Sequence, residues 1–72
     1  MQFDYSKLRG RIIEKHKTQN EFSKILGVSE RTLSLKLNNK IFFSQDEIIR
    51  ISELLSIGED KIQKYFFDKK VQ

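Results

Sequence analysis

Five side chains near the middle of the sequence have types and a spacing suited to contacting the edges of nucleic-acid bases. Residues 31 to 38 read RTLSLKLN, and in a helix each residue is turned about 100° from the one before it. Leu33 and Leu37 then share one face, while Leu35 lies about 200° round from Leu33, on the outer side with Arg31. The remaining residues on or beside that outer face are Thr32, Ser34 and Asn38.

Each of these groups has a counterpart on a base edge. Arginine can fork onto the two acceptors of guanine, hydroxyl and amide groups can bond to donors or acceptors, and Leu35 can contact the methyl group of thymine. The outer face therefore indicates base reading in the major groove of DNA. The alternative, which the sequence leaves open, is a solvated face with one stray leucine, because small helical pairs are common.

The preceding residues predict a second helix that can position this one. Thr18 is a good helix cap, and Glu21, three residues on, has the spacing of a capping box. Phe22, Ile25 and Leu26 then fall at i, i+3 and i+4, which is typical of the apolar stripe of an amphipathic helix. That stripe requires a core to pack against.

The residues between the two helices predict a tight turn. Gly27 follows where a helix can end in the left-handed conformation, which is nearly free for glycine. Val28 can fill the angle between the helices, and Ser29 is a good cap for a helix from about Glu30 to Leu37. The segment from Thr18 to Asn38 is therefore a predicted helix-turn-helix.

The same residues resemble a known family. The matching positions are Thr18-Gln19-x-Glu21-Phe22, Gly27-Val28-Ser29, Thr32-Leu33-Ser34 and Leu37-Asn38. They look like the helix-turn-helix of the Cro and lambda-repressor-like superfamily. With the flanking segments LRGRIIEK and YFFDKKVQ, the whole chain resembles small phage or prophage regulators of Gram-positive bacteria.

The resemblance implies roles for particular residues. Gln19, at the start of helix 2, and Asn38, at the end of helix 3, would hold DNA phosphates, while Glu30, Arg31 and Leu35 would face bases. Lys40 lies in the polar loop after helix 3, where it can touch the DNA backbone. The expected base-reading set is Glu30, Arg31, Thr32, Ser34 and Leu35, and the expected backbone-contacting set is Gln19, Ser29, Lys36, Asn38 and Lys40.

Two positions depart from the family pattern. Ser23 stands where alanine is usual and helix 2 is crossed closely, and serine is small enough to fit. Lys36 stands where an apolar residue is frequent. We therefore expect a narrower buried face on helix 3 and an additional contact from Lys36 to a phosphate.

Composition argues against an enzyme. A chain of 72 residues forms one domain over residues 1–72 and buries only about 60% of its unfolded surface. The sequence has no cysteine and a single histidine, His16, so it offers neither a metal-ligand cluster nor a nucleophile with a base. There is also no glycine-rich phosphate loop. We expect no catalytic residues, no metal and no cofactor.

The chain also lacks the signals of a membrane or secreted protein. No stretch approaches the roughly 20 apolar residues of a membrane span, and the start MQFDYSK has no apolar run of a signal peptide. We expect a soluble, cytoplasmic protein with no membrane partner.

Positive charge is concentrated in the half that holds the motif. Residues 1–40 contain nine Lys or Arg against four acidic residues, a balance of +5, while residues 41–72 contain five against six, a balance of −1. Basic groups beside a reading helix release counterions from DNA phosphates, which makes binding strong and salt-dependent. A basic surface kept for solubility is the alternative.

The flanks predict three further helices, giving a compact, all-α, five-helix domain of the lambda-repressor type. An apolar stripe places helix 1 at about Ser6 to His16. Arg9 and Arg11 on it are either solvated, paired with carboxylates or near phosphates. Residues 41–43 predict a loop whose phenylalanines fill the core. A capping box at Ser44 opens helix 4, to about Leu55, and residues 59–66 predict helix 5.

The tail YFFDKKVQ is too apolar for a plain disordered end. It either folds back on the core or meets a second copy, and aromatic residues are enriched at interfaces. The leading hypothesis is a sequence-specific regulator, a repressor of the phage Cro type, that occupies a double-stranded DNA operator as a homodimer paired through the C-terminal helix and tail. The alternative is a protein-interaction module built on a helix-turn-helix scaffold.

Overall fold

A computed structural model describes residues 2–70, which form five α-helices as the sequence predicts. Helix α1 spans Ser6–His16, α2 spans Gln19–Leu26, α3 spans Glu30–Leu37, α4 spans Gln45–Leu54, and α5 spans Ile62–Phe66 after a 3₁₀ turn at Glu59–Lys61. The β-structure within the described residues is one isolated bridge, between Phe3 and Lys69. The fold class is therefore all-α.

The helix-turn-helix begins and turns at the predicted residues. The Thr18 hydroxyl accepts a hydrogen bond from the Glu21 N–H at 3.0 Å, and the Ser29 hydroxyl accepts one from the Thr32 N–H at 3.1 Å. Gly27 ends α2 with φ +90°, in the left-handed region. These side-chain and backbone signals act within four residues, which is why they are legible in the sequence.

The capping box predicted for α4 is complete. The Ser44 hydroxyl accepts from the Glu47 N–H at 3.1 Å, and the Glu47 carboxylate accepts from the Ser44 N–H at 2.8 Å. Both groups at the start of α4 are satisfied by this exchange.

The core is a single apolar cluster to which all five helices contribute. Leu33 and Leu37 are buried on the inner face of α3, as their spacing predicts. The other buried apolar residues are Tyr5, Leu8, Ile12, Phe22, Leu26, Ile51, Leu55, Ile57 and Phe66. Ile25, predicted to belong to the apolar stripe of α2, is instead exposed, as are Ile13 of α1 and Ile49 of α4.

The described part of the tail pairs with the N-terminal segment. The Asp4 N–H donates to the Asp68 carbonyl at 2.6 Å, and the Phe3 and Phe67 rings meet edge-on with centroids 6.0 Å apart. Of the two predicted alternatives for the tail, this arrangement is the fold-back one. Residues 71 and 72 of the predicted tail contact lie outside the described residues.

The prediction that both phenylalanines of the 41–43 loop fill the core is wrong for one of them. Phe43 packs against the core and meets the rings of Tyr5 and Phe66 at 5.4 and 5.7 Å. Phe42 is 76% exposed. Neighbouring side chains outside a helix project in different directions, so turning Phe43 inward turns Phe42 outward.

The carboxyl end of α3 is closed by a Schellman motif. Asn39 has φ +64°, and its N–H donates to the Lys36 carbonyl while the Lys40 N–H donates to the Leu35 carbonyl. The Asn39 side chain also exchanges two hydrogen bonds with the backbone of Phe3, at 2.8 and 2.9 Å. The chain therefore leaves α3 in one fixed direction.

Two glycines with open space beside them allow a matched test of the turn. A Cβ at Gly27 or Gly10 would meet no atom within 4 Å, but Gly27 has φ +90° whereas Gly10 lies inside α1. Gly27→Ala should lower the free energy of unfolding by about 1 kcal/mol through backbone strain, while Gly10→Ala should raise it by about 0.5 to 1 kcal/mol through helix propensity. Urea unfolding measures both, and equal effects of the same sign would contradict the assignment of the turn.

Candidate nucleic-acid interface

The outer face of α3 presents the predicted base-reading side chains unequally. Glu30 and Arg31, in the first turn, are exposed, and the ion pairs among residues 2–70 include neither of them. Thr32, Ser34 and Leu35 are half-buried. In helix-turn-helix complexes the N-terminal turn of the recognition helix contacts base edges. The most accessible charged groups of α3, Glu30 and Arg31, lie in the corresponding turn.

Two hydroxyls on this face are already bonded to each other. The Ser29 hydroxyl donates to the Thr32 hydroxyl at 2.9 Å while accepting from the Thr32 N–H. The pair stabilises the start of α3 and leaves one hydroxyl proton for an outside acceptor. Ser29 is exposed and lies one residue before α3, so it remains reachable from the side of Arg31.

Asn38, predicted to hold a phosphate, is engaged within the chain. Its Nδ2 donates to the Ser34 carbonyl at 2.9 Å and to the Ser34 hydroxyl at 3.2 Å. Its Oδ1 accepts from Nη2 of Arg9 at 2.9 Å. The amide therefore closes the end of α3 and orients an arginine from α1.

Lys36, also predicted to contact the DNA backbone, turns inward. It is 9% exposed, and its ammonium donates to the Phe42 carbonyl at 3.0 Å and forms an ion pair with Glu47 at 2.6 Å. A buried ammonium requires such partners. The resemblance to the Cro and lambda-repressor-like superfamily implied an apolar residue here, and in the structure this position does face the protein interior. The phosphate contact expected from Lys36 is therefore replaced by a tie between α3 and α4.

The other backbone candidates lie at the two ends of the motif. Gln19 is the first residue of α2 and is half-buried, and Lys40, the last residue of the Schellman motif, is exposed. Within the helix-turn-helix these positions sit before and after the outer face of α3. The structure thus brings together the candidate residues of the turn and of α3. Lys36 is excluded from the candidate backbone contacts because its ammonium is bound inside the protein.

One further residue of the site is an arginine whose role the sequence leaves open. Arg9 of α1 reaches across to the end of α3, where its Nη2 donates to the Leu37 carbonyl at 3.1 Å as well as to Asn38. Arg9 and Leu37 are separated by 28 positions along the chain. No local spacing rule connects them, although the long apolar stem of an arginine can lie along apolar surface and carry its charged end to a neighbouring helix.

Electrostatics support the correction at Lys36. Burial opposes ionisation of Glu47, but hydrogen bonds from Lys36 and from the Ser44 backbone favour the charged form and leave the pKa of Glu47 lowered. A lowered pKa stabilises the fold fully above the ordinary glutamate value, about 4.3, and this contribution is lost as pH falls through the folded-state pKa.

A pair of lysine variants tests this tie. Lys36→Met should lower the free energy of unfolding at pH 7 by about 1 to 2 kcal/mol, since it removes a charge-assisted hydrogen bond from a partly buried carboxylate. The loss should shrink at an acidic pH below the lowered pKa of Glu47, where the carboxylate is protonated. Lys40→Met, at an exposed residue of the same charge, should change stability little. Urea midpoints at both pH values give the answer, and a pH-independent loss in Lys36→Met would contradict the role of Glu47.

Among the described residues there is no helix long and apolar enough to cross a bilayer. Within residues 2–70, no group of three or more His, Cys, Asp or Glu side chains is arranged to hold a metal ion.

Comparisons with known proteins place this geometry in context. The model of a family described as "Protein of unknown function (DUF739)" matches residues 1–69. The chain is also similar to the modulator of repression (MOR) of the temperate bacteriophage TP901-1 from Lactococcus lactis, known from a solution structure. The TM-score is 0.83 and the identity 47%, over 100% of this chain and 97% of that one. A comparison with curated proteins gives no significant match.

These findings agree with part of the predicted resemblance. The similar structure is a phage protein, as the flanking segments suggested. Neither description names the Cro and lambda-repressor-like superfamily, so the helix-turn-helix assignment stands on the geometry of α2 and α3.

Proposed function

The chain belongs to the DUF739 family, and we propose that it is a phage or prophage regulator that binds a specific sequence of double-stranded DNA. It acts by occupying an operator, in the manner of a Cro-type repressor, and not by catalysis. The observation that carries this proposal is the first turn of α3, where exposed Glu30 and Arg31 project from a helix whose other side is buried.

The similar phage protein supports the regulatory part of the proposal. It is named a modulator of repression, and 47% identity over the whole chain makes a shared role in controlling repression the simplest inference. DNA binding is a separate inference, which rests on the helix-turn-helix and on the +5 balance of residues 1–40.

The proposed contacts follow the structure. Arg31 and Glu30 read bases with Thr32, Ser34 and Leu35 beside them, while Gln19, Ser29 and Lys40 position the DNA backbone. Lys36 is omitted because its ammonium is bound inside the protein. Asn38 acts through the arginine that it orients.

Arg31 and Lys40 separate base reading from backbone positioning. Arg31→Ala should cost about 1 to 3 kcal/mol on a selected duplex and relax specificity at one position, since a forked contact discriminates bases. Lys40→Ala should weaken binding to all duplexes alike. The measurement is affinity for a duplex selected from a random pool and for an unrelated duplex. Equal losses on both duplexes in the Arg31 variant would remove its base-reading role.

A protein partner is the second candidate, and Phe42 favours it. Phe42 is 76% exposed, and its carbonyl accepts a hydrogen bond from the Lys36 ammonium, so a large apolar group is presented on a loop whose backbone is tied to α3. Exposed aromatic side chains held in place are frequent anchors of protein interfaces. Failure of the wild-type protein to select any duplex from the pool would favour this candidate over DNA binding.

We also propose that two copies bind one near-palindromic operator. A single recognition helix contacts few base pairs, whereas a symmetric pair doubles the readout at half-sites about one helical turn apart. The structure uses Phe66 inside the monomer core and packs Phe67 on Phe3, so the part of the tail that the structure describes offers a second copy mainly the exposed part of Phe67.

Stoichiometry on the selected duplex tests this pairing. We expect two chains per site, and Phe67→Ser should reduce the second binding event more than the first because it removes apolar surface from the contact. Analytical ultracentrifugation of the complex distinguishes the states. One chain per site would contradict the dimer, and unchanged pairing by the Phe67 variant would move the contact away from the tail.

A further inference from the structure

Two arginines on the same helix have different electrostatic surroundings. Arg11 donates from Nη1 to Glu14 at 2.7 Å and from Nε to the Leu55 carbonyl at 2.9 Å. Its positive charge is therefore balanced by a carboxylate. Arg9 donates to a carbonyl and to an amide oxygen, and the ion pairs among residues 2–70 do not include it.

The contacts of Arg9 hold the guanidinium in place without neutralising it. Both bonds come from Nη2, at 3.1 Å to Leu37 and 2.9 Å to Asn38. A guanidinium has five N–H groups, so those of Nε and Nη1 are not used by these bonds. Nη1 lies on the side of Cδ, away from the Nε–H group, so these donors point in different directions, and each can donate a single charge-assisted hydrogen bond to a phosphate oxygen.

The position of these N–H groups of Arg9 is set by the end of α3. Asn38, the residue that fixes Arg9, is the residue that ends α3, and the exposed Lys40 follows two positions later with its backbone bonded to α3. Arg9 and Lys40 therefore reach the same end of α3 from different elements. A guanidinium that is held in place and an exposed ammonium at the same end of a helix are both suited to the phosphate oxygens of a DNA backbone.

We propose that Arg9, oriented by Asn38, binds a DNA backbone phosphate at the carboxyl end of α3, with Lys40 on the same or the adjacent phosphate. This inference rests on the proposed DNA-binding function. It replaces the contact expected from Lys36 with one from α1, and it gives Asn38 an indirect role, as the residue that positions Arg9.

Salt dependence of binding tests the proposal. The wild-type protein, Arg9→Gln, Arg9→Lys and the matched control Arg11→Gln are titrated onto the duplex selected by the wild type and onto a random duplex, from 50 to about 200 mM salt. Each phosphate neutralised adds about 0.9 to the slope of log affinity against log salt. Thermal unfolding of each variant, without DNA, reports any loss of the tie to α3.

Arg9→Gln should lower the salt slope by about 0.9 on both duplexes. Arg9→Lys should keep most of the slope, because it keeps the charge, and lose affinity because a flexible ammonium lacks the planar guanidinium that Leu37 and Asn38 hold in place. Arg11→Gln should leave the slope unchanged, whatever it does to stability.

A purely structural role for Arg9 predicts different results. Arg9→Gln would then weaken binding to the selected duplex while leaving the salt slope equal to that of the wild type, and this outcome overturns the proposal while DNA binding stands. Absence of binding by the wild-type protein to any duplex would overturn the proposed function and this inference together.

Discussion

The carboxyl end of α3 is the point on which the arrangement of the other elements depends. Arg9 ties it to α1, the Asn39 side chain ties it to the N-terminal segment at Phe3, and Lys36 ties it to the loop and to the cap of α4 at Glu47. Each tie is a hydrogen bond between residues far apart in sequence. Breaking one leaves a polar group without its partner, which costs more than the bond itself contributes. The helix that carries the candidate interface is thus fixed at one end, while its first turn faces outward.

Polar ties are needed there because apolar packing on α3 is narrow. Leu33 and Leu37 are its buried apolar residues, and two side chains one turn apart define a line of contact about which a helix can roll. The Lys36 ion pair lies to one side of that line, and Asn38 with Arg9 lies at its end. These directional contacts restrict rotation in a way that non-directional apolar burial does not. A chain of 72 residues has a small core. Because polar contacts restrict the rotation of α3, two buried leucines are enough to hold it against that core.

Sequence reasoning succeeded where the determining contacts are local. The caps at Thr18, Ser29 and Ser44, and the left-handed turn at Gly27, act over one helical turn, so their spacing carries the information. It failed where the orientation of a side chain, toward solvent or toward a partner, depends on a residue distant in the sequence. Lys36 looked like a solvent-facing cation because lysine is rarely buried, yet its partner Glu47 lies 11 residues on, in a separate helix. Arg9 was left undecided for the same reason, and the outward turn of Phe42 depended on which of two adjacent rings would meet Tyr5 and Phe66.

Whether the partner of a basic side chain is charged or neutral decides how strongly that side chain can still attract an anionic ligand. Lys36 and Arg11 are each bound to a carboxylate, so their positive charges are largely balanced within the protein. Arg9 is equally well held, but by neutral oxygens, and a fixed cation with neutral partners keeps its attraction for anions. Exposed residues such as Arg31 and Lys40 keep their charge as well, at the entropic cost of ordering a mobile side chain on binding. A cation that is ordered in advance and still unneutralised avoids much of that cost. For this reason the residue most suited to holding a phosphate need not be the most exposed one, and under the proposed DNA-binding function it is Arg9, which belongs to α1 and not to the helix-turn-helix itself.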